Sequence, residues 1–252
     1  MDIPPKVHGS SVLLWAAFSA LVVTHFNVAL PAQTPAQAQT PAQTQGPPIL
    51  QPPGIDPALL AKANAGDAGS QLLVADAYAK GQGVARDLGA AAVWYRKAAD
   101  QGLSIAQDHL AAAYGNGDGV EQSYSDAVAW FRKAAQQGYA PSELSLGQYY
   151  QKGLGVPQDN ALAAEWYRKA ADQGLAEAQL NLGILYLYGR GLEQNYSDAY
   201  FWLNLAAAGM KGNTLQEAMD YRDAAATELS QDELSAMQQK ATKWVSDHPT
   251  RP

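Results

Sequence analysis

The 252-residue chain contains no cysteine. This excludes disulfides, a thiol nucleophile, Cys-based zinc or iron–sulfur sites and a lipid-modified N-terminal cysteine. Histidine is nearly as scarce: His8, His25, His109 and His248 are widely scattered. No multi-histidine metal centre is therefore expected, and no metal or cofactor is assigned. Positive charge is also short, with a formal net charge of -7 and a pI near 5.0. Asp2 and Lys6 are the sole formal charges before residue 56, so the later part carries 23 acids against 16 bases. An acidic body repels phosphate, and nucleic acid is not an expected partner. Hydrophobic residues make up 47% of the chain, enough to bury a core.

The start is a weakly charged segment with Lys6 and His8, followed by the apolar run Ser11 to Val23, SVLLWAAFSALVV. This layout predicts a secretory signal peptide over residues 1–32. Ala36-Gln37-Ala38 fits the small-x-small cleavage rule, with cleavage after Ala38, and Ala32 is a second candidate. The alternative is an uncleaved anchor, because apolar character continues intermittently to Leu30. A spanning helix needs about 20 predominantly apolar residues, and this run is shorter. The expected location is periplasmic or secreted, the alternative being the inner membrane, facing the periplasm. Membrane contact is expected through such an anchor alone. The stretch from Pro31 to Gly54, PAQTPAQAQTPAQTQGPPILQPPG, has little to bury and many prolines. It predicts a disordered linker over residues 33–54.

Beyond the linker, Trp94, Trp130, Trp166 and Trp202 recur at intervals of 36, as do Tyr78, Tyr114, Tyr150 and Tyr186. The same register aligns four G-x-G pairs, beginning at Gly81, Gly117, Gly153 and Gly189, and Ala-Ala pairs beginning at Ala98, Ala134, Ala170 and Ala206. A period of this length marks a repeat architecture. Within a unit, Gln71, Val74, Ala75 and Tyr78 form one helical stripe. The glycines then end that helix and turn the chain. A second helix opens at Asp87, Ser123, Asp159 or Asn195, all N-cap types. The Trp and Tyr series are assigned to the core between units.

The pattern A-x-x-L-G-x-x-Y-x-x-G-x-G-V-x-x-D-x-x-x-A-x-x-W-Y-x-K-A-A-x-x-G resembles the Sel-one-like repeat, a relative of the tetratricopeptide repeat. It covers roughly residues 66–212, best in Ala140 to Gly174. The expected fold is all-α: an αα-superhelix, or solenoid, of four helix-turn-helix units at 67–102, 103–138, 139–174 and 175–212. An N-terminal capping helix is expected at 55–66, opened by Asp56-Pro57, and C-terminal capping helices and tail at 213–252. The latter comprise a helix from about Thr214 to Thr227 and another to about Trp244, begun by a capping box of Ser230 and Glu233 and a staple of Leu229 and Leu234. The fourth unit departs from the pattern, with Leu205 in place of Lys97, Lys133 and Lys169, and Met210 in place of the closing glycine. Gly209 and Gly212 are expected to supply that turn.

No catalytic constellation emerges. The G-x-G pairs follow helices and recur four times, which fits turns and not a dinucleotide-binding loop. Asp87 and Asp159 sit at cap positions where Ser123 and Asn195 serve equally, and a general acid cannot be exchanged for serine. Lys97, Lys133 and Lys169, with the preceding arginines, place cations near helix C-termini.

The face left by the core stripe holds residues 73, 76, 77 and 80 and their counterparts, and it varies from unit to unit. His109, Asn116, Tyr149, Lys152, Asn181 and Tyr188 on it are the candidate partner-binding residues. The resemblance implies a non-enzymatic scaffold or adaptor that binds a protein or peptide of the cell envelope, or a periplasmic regulator of a sensor kinase. The alternative from another class is an envelope hydrolase of the penicillin-binding or β-lactamase type, but the chain has no S-x-x-K motif.

Overall fold

The computed structural model describes residues 54–248. The expected signal peptide and the linker up to residue 53 lie outside them. The described residues form eleven α-helices and no strand: α1 (Pro57–Asn64), α2 (Ala68–Lys80), α3 (Leu88–Asp100), α4 (Ser104–Asn116), α5 (Tyr124–Ala135), α6 (Ala140–Lys152), α7 (Asn160–Asp172), α8 (Ala176–Tyr188), α9 (Tyr196–Gly209), α10 (Gly212–Ala226) and α11 (Gln231–Asp247). Helices adjacent in sequence pack together from α1 to α10, and α11 returns to α9. The stack is the predicted solenoid, with α2, α4, α6 and α8 as first helices and α3, α5, α7 and α9 as second helices.

Local chemistry sets the helix limits. Each first helix ends on a left-handed glycine, Gly81, Gly117, Gly153 or Gly189, whose N–H returns to the carbonyl four residues earlier. The turn is then locked in the same way four times. Asp87, Ser123, Asp159 and Asn195 each donate their backbone N–H to the carbonyl of the tyrosine nine residues back, at 2.9–3.1 Å. Their side chains accept from the first turn of the next helix, as their residue types predict. Gly119, Gly155 and Gly191 lie against the backbone at the start of the preceding unit's second helix, at Leu88, Tyr124 and Asn160. A Cβ on any of the three would overlap main-chain atoms.

Between the helices, alanine pairs at 98–99, 134–135 and 170–171 are buried and allow close backbone approach. Trp130 and Trp202 are buried, whereas Trp94 and Trp166 are half-buried. The lysine three residues on covers the ring: Lys97, Lys133 and Lys169 hold Nζ 3.7, 3.6 and 3.9 Å from the ring centroids of Trp94, Trp130 and Trp166. The lysine stripe thus shields tryptophan in addition to facing helix ends. The arginines reach further. Arg96, Arg132 and Arg168 donate to the hydroxyls of Tyr114, Tyr150 and Tyr186 in the following unit.

A second ladder runs inside the stack. Buried Gln71, Gln107 and Gln179 donate Nε2 to the carbonyls of Ala63, Ala99 and Ala171, eight residues earlier, at 3.1–3.2 Å. The oxygens of Gln71 and Gln107 accept from Gln101 and Gln137, both at 2.8 Å. The third unit carries Glu143 at this position. It accepts from Gln173 at 2.7 Å but has no amide to donate to Ala135. Burial pushes its carboxyl up, against the hydrogen bond from Gln173 and the charge of Lys169, while Asp172 adds to the rise.

At the ends, α1 is opened by Asp56, which accepts from the Ala58 N–H at 3.0 Å. The α10 helix begins two residues before the expected Thr214. Gly212 takes positive φ as anticipated, but Gly209 is still helical. Ala218 and Ala225 of α10 close over Leu180, Leu187, Tyr200 and Leu203. The capping box of Ser230 and Glu233 is formed, and Leu229 and Leu234 join the same cluster. The final helix passes the expected Trp244 and runs to Asp247, stopping just before Pro249, which disfavours helix in the residue ahead of it. Trp244 then packs edge-on to Trp202, with centroids 6.4 Å apart.

Gly119→Ala should cost about 2 kcal/mol or more, whereas Gly102→Ala, also at positive φ but with open space around it, should cost about 1 kcal/mol. Equal losses in urea unfolding would contradict the backbone contact. Glu143→Gln should stabilise by about 1 kcal/mol at pH 7, by supplying the missing donor and removing a buried charge. A carboxyl raised in the folded state loses stability as pH rises through its folded value, so the advantage should shrink on acidification towards the ordinary glutamate range. A variant no more stable than the parent at pH 7 would contradict this account.

Candidate functional site

The face predicted to bind a partner is carried by the first helices, which lie side by side. Side-chain bonds join one first helix to the next: Ser142 of α6 donates to Asp108 of α4 at 2.6 Å, and Gln148 of α6 donates to Glu177 of α8 at 2.9 Å. Residues on α4, α6 and α8 therefore share one surface.

The six candidates do not sit alike on it. Asn116 and Lys152 are exposed, and Tyr188 is 50% exposed. Asn116 donates to Asp118 at 3.1 Å. Tyr188 lies under Arg190, 4.9 Å from its centroid, and edge-on to Tyr221 of α10 at 6.4 Å. Asn181 is half-buried. Tyr149 is set into the junction, its ring 5.3 Å from Phe131 and 6.1 Å from Tyr124. Burial, with Tyr124 nearby, pushes its hydroxyl up. Tyr149 itself is half-buried, and its counterparts Ala77, Ala113 and Leu185 are buried, Leu185 completely. The column 77, 113, 149, 185 is thus junction lining, because each first helix packs against two second helices.

His109 is half-buried, 5.0 Å from the Tyr95 ring. Tyr95 donates to Asp76 at 2.7 Å, and Lys80 holds the other oxygen of that carboxylate at 2.9 Å. Burial pushes the Asp76 carboxyl up, but these two hydrogen bonds and the charges of Lys80 and His109 outweigh it and hold the group low. Asp108 behaves oppositely. Burial pushes it up more than Ser142 and His109 pull it down. Among the described residues, no three histidine or carboxylate side chains converge as metal ligands.

Asp108 is a departure from the scaffold that residue-type reasoning missed, although its register shows it. The equivalent positions are Leu72, Leu144 and Leu180, and the position it bonds, Ser142, corresponds to Ala106 and Ala178. Two junctions therefore pair leucine with alanine, while the middle one pairs aspartate with serine. Such a pair adds little to stability but is costly to break. Ser142→Ala should lower stability at pH 7 by roughly 1–2 kcal/mol, and adding Asp108→Leu should recover the parent value or exceed it. A double variant weaker than the single one would refute this description of the pair.

The family profile described as the Sel1 repeat matches residues 68–103, 104–139, 140–175 and 176–209. The crystal structure of a protective antigen present in uropathogenic Escherichia coli strains, displaying an SLR fold, is similar at 33% identity with a TM-score of 0.67. The similarity covers 75% of this chain and 40% of that one, so the chain spans well under half of that relative. A Sel1 repeat protein from Oxalobacter formigenes is similar at 27% identity with a TM-score of 0.57, covering 66% of this chain and 74% of that one. No curated protein sequence matches the chain.

Proposed function

Because the chain belongs to the Sel1 repeat family, whose members are protein-interaction scaffolds, we propose that it is an exported adaptor. On this reading it binds a protein or peptide partner in the bacterial cell envelope through the first-helix face. The observation that carries the proposal is the contrast within the repeat. Caps, turns, alanine pairs and the arginine–tyrosine ladder recur, while the outward positions of α4, α6 and α8 differ in every unit. Scaffold positions must repeat for units to stack, and recognition positions need not. The proposal of export rests on the apolar run and small-residue motif of the first 38 residues. The description of the similar Escherichia coli protein as a protective antigen supports an address outside the cytoplasm.

The test uses the full chain, expressed in its native host with a mild crosslinker. Its N-terminus and its captured envelope partner are identified by mass spectrometry. A mature N-terminus near Gln33 or Gln39 is expected, and an intact one in the cytoplasm would defeat export. The face is tested with Asn116→Ala, Lys152→Glu, Asn181→Ala and Tyr188→Ala combined, leaving the packed Tyr149 in place. Affinity for the captured partner should fall by at least about tenfold with no loss of melting temperature. Affinity within about twofold of the parent would remove the face assignment.

A further inference from the structure

Tyr149 occupies a seat built by the second unit. Its ring lies beside Tyr124 and Phe131, and its hydroxyl fills the space where a Cβ on Gly115 would stand, near Ala127. One unit earlier the same seat is made by Leu88, Tyr95, Ala79 and Ala91, the residues 36 positions before these. There Ala113 replaces Tyr149, and a cavity of about 160 Å³ is left, also lined by Ala92, His109, Ala112 and Asp118. At the following junction Leu185 is wholly buried in its seat. Among the junctions between the four described units, the first is therefore the one whose seat is not filled by a large side chain of the protein itself.

We propose that this cavity is an anchor pocket for a phenylalanine of the partner polypeptide, followed by a basic residue. The inference rests on the first-helix face as the binding surface. The ring identity comes from the chain's own template. The site holds an aromatic ring one unit later, but Ala79 stands where Gly115 admits the tyrosine hydroxyl, so a ring without a hydroxyl fits. The basic neighbour comes from charge. Asp118 lines the cavity, whereas the nearby Asp76 carboxylate is already paired with Lys80. Aromatic side chains seated in such pockets are the usual centres of binding energy at protein interfaces.

The test is a titration of the purified full chain, labelled at alanine methyls, with the capped dipeptides Ac-Phe-Arg-NH2, Ac-Phe-Glu-NH2 and Ac-Ala-Arg-NH2. Ac-Phe-Arg-NH2 should produce saturable shifts of the Ala91 and Ala113 methyls at millimolar concentration. Ac-Ala-Arg-NH2 should produce none, and Ac-Phe-Glu-NH2 should bind about threefold more weakly, as a solvent-screened ion pair dictates. Ala113→Leu seats the residue of the fourth unit and should abolish the shifts without lowering the melting temperature. Asp118→Asn should erase the preference for arginine while the requirement for phenylalanine persists, a result independent of how Ala113→Leu folds. Shifts confined to other methyls, or methyl positions that change with protein concentration alone, as a second copy in the cavity would cause, would overturn the proposal. So would an envelope partner whose affinity falls with the face variant but is untouched by Ala113→Leu, and in that case the face assignment would stand without the pocket.

Discussion

A pair of short helices leaves one flank of apolar surface open, and the structure depends on closing that flank with the next pair. The contacts that repeat through the stack serve this closure. Arg96, Arg132 and Arg168 reach forward to a tyrosine hydroxyl of the next unit, and Gln101, Gln137 and Gln173 reach back to the amide or carboxylate of their own unit's first helix. The ladders end where the stack ends. In the fourth unit Asn204 and Leu205 stand where arginine and lysine stood, and Trp202 is covered by Trp244 of α11 in place of a lysine. At the other end, Ala63 of α1 supplies the carbonyl that Gln71 requires. The caps are thus chemically continuous with the repeats they terminate.

Against that regularity, the departures concentrate in the second and third units. Asp108 replaces a leucine, Glu143 replaces a glutamine, and Ala113 leaves open a seat that Tyr149 and Leu185 fill elsewhere. Asp108 and Glu143 place carboxyls where burial raises their pKa and Ala113 leaves a cavity, and local rules are most often broken where a surface answers to something besides folding. All three lie on first helices. The second helices carry the regular alanine, tryptophan and cation pattern through three units before the cap alters it.

Much of this was legible in the residues because it is local. An N-cap needs a short oxygen-bearing side chain, a left-handed stop needs glycine, and both recur at 36-residue spacing, so helix starts and turns could be placed to within a residue or two. The packing of the column 77, 113, 149, 185 against the junctions was not legible. A first helix is packed on two sides, by its own partner and by the preceding unit, and a stripe drawn from one helix's periodicity records one of them. Tyr149, a candidate recognition residue on its spacing, is half-buried and also packs against Phe131 and Tyr124 at a junction. The glutamine ladder was visible as a period but lay hidden behind residue type, since glutamine is seldom buried unless its hydrogen bonds are met. The lysines over tryptophan were placed on the right helix end, but spacing alone does not show which ring a flexible stem will cover.

The glycines at 119, 155 and 191 bring main chain against main chain between consecutive units. Because no side chain intervenes at these points, the pitch of the stack is set by peptide dimensions and stays the same whatever residues decorate the outward surface. The protein in this respect resembles a toothed rack: the tooth spacing is invariant while each tooth can be cut to a different profile. A binding partner must match that spacing, and new profiles can arise by substitution without recutting the rack.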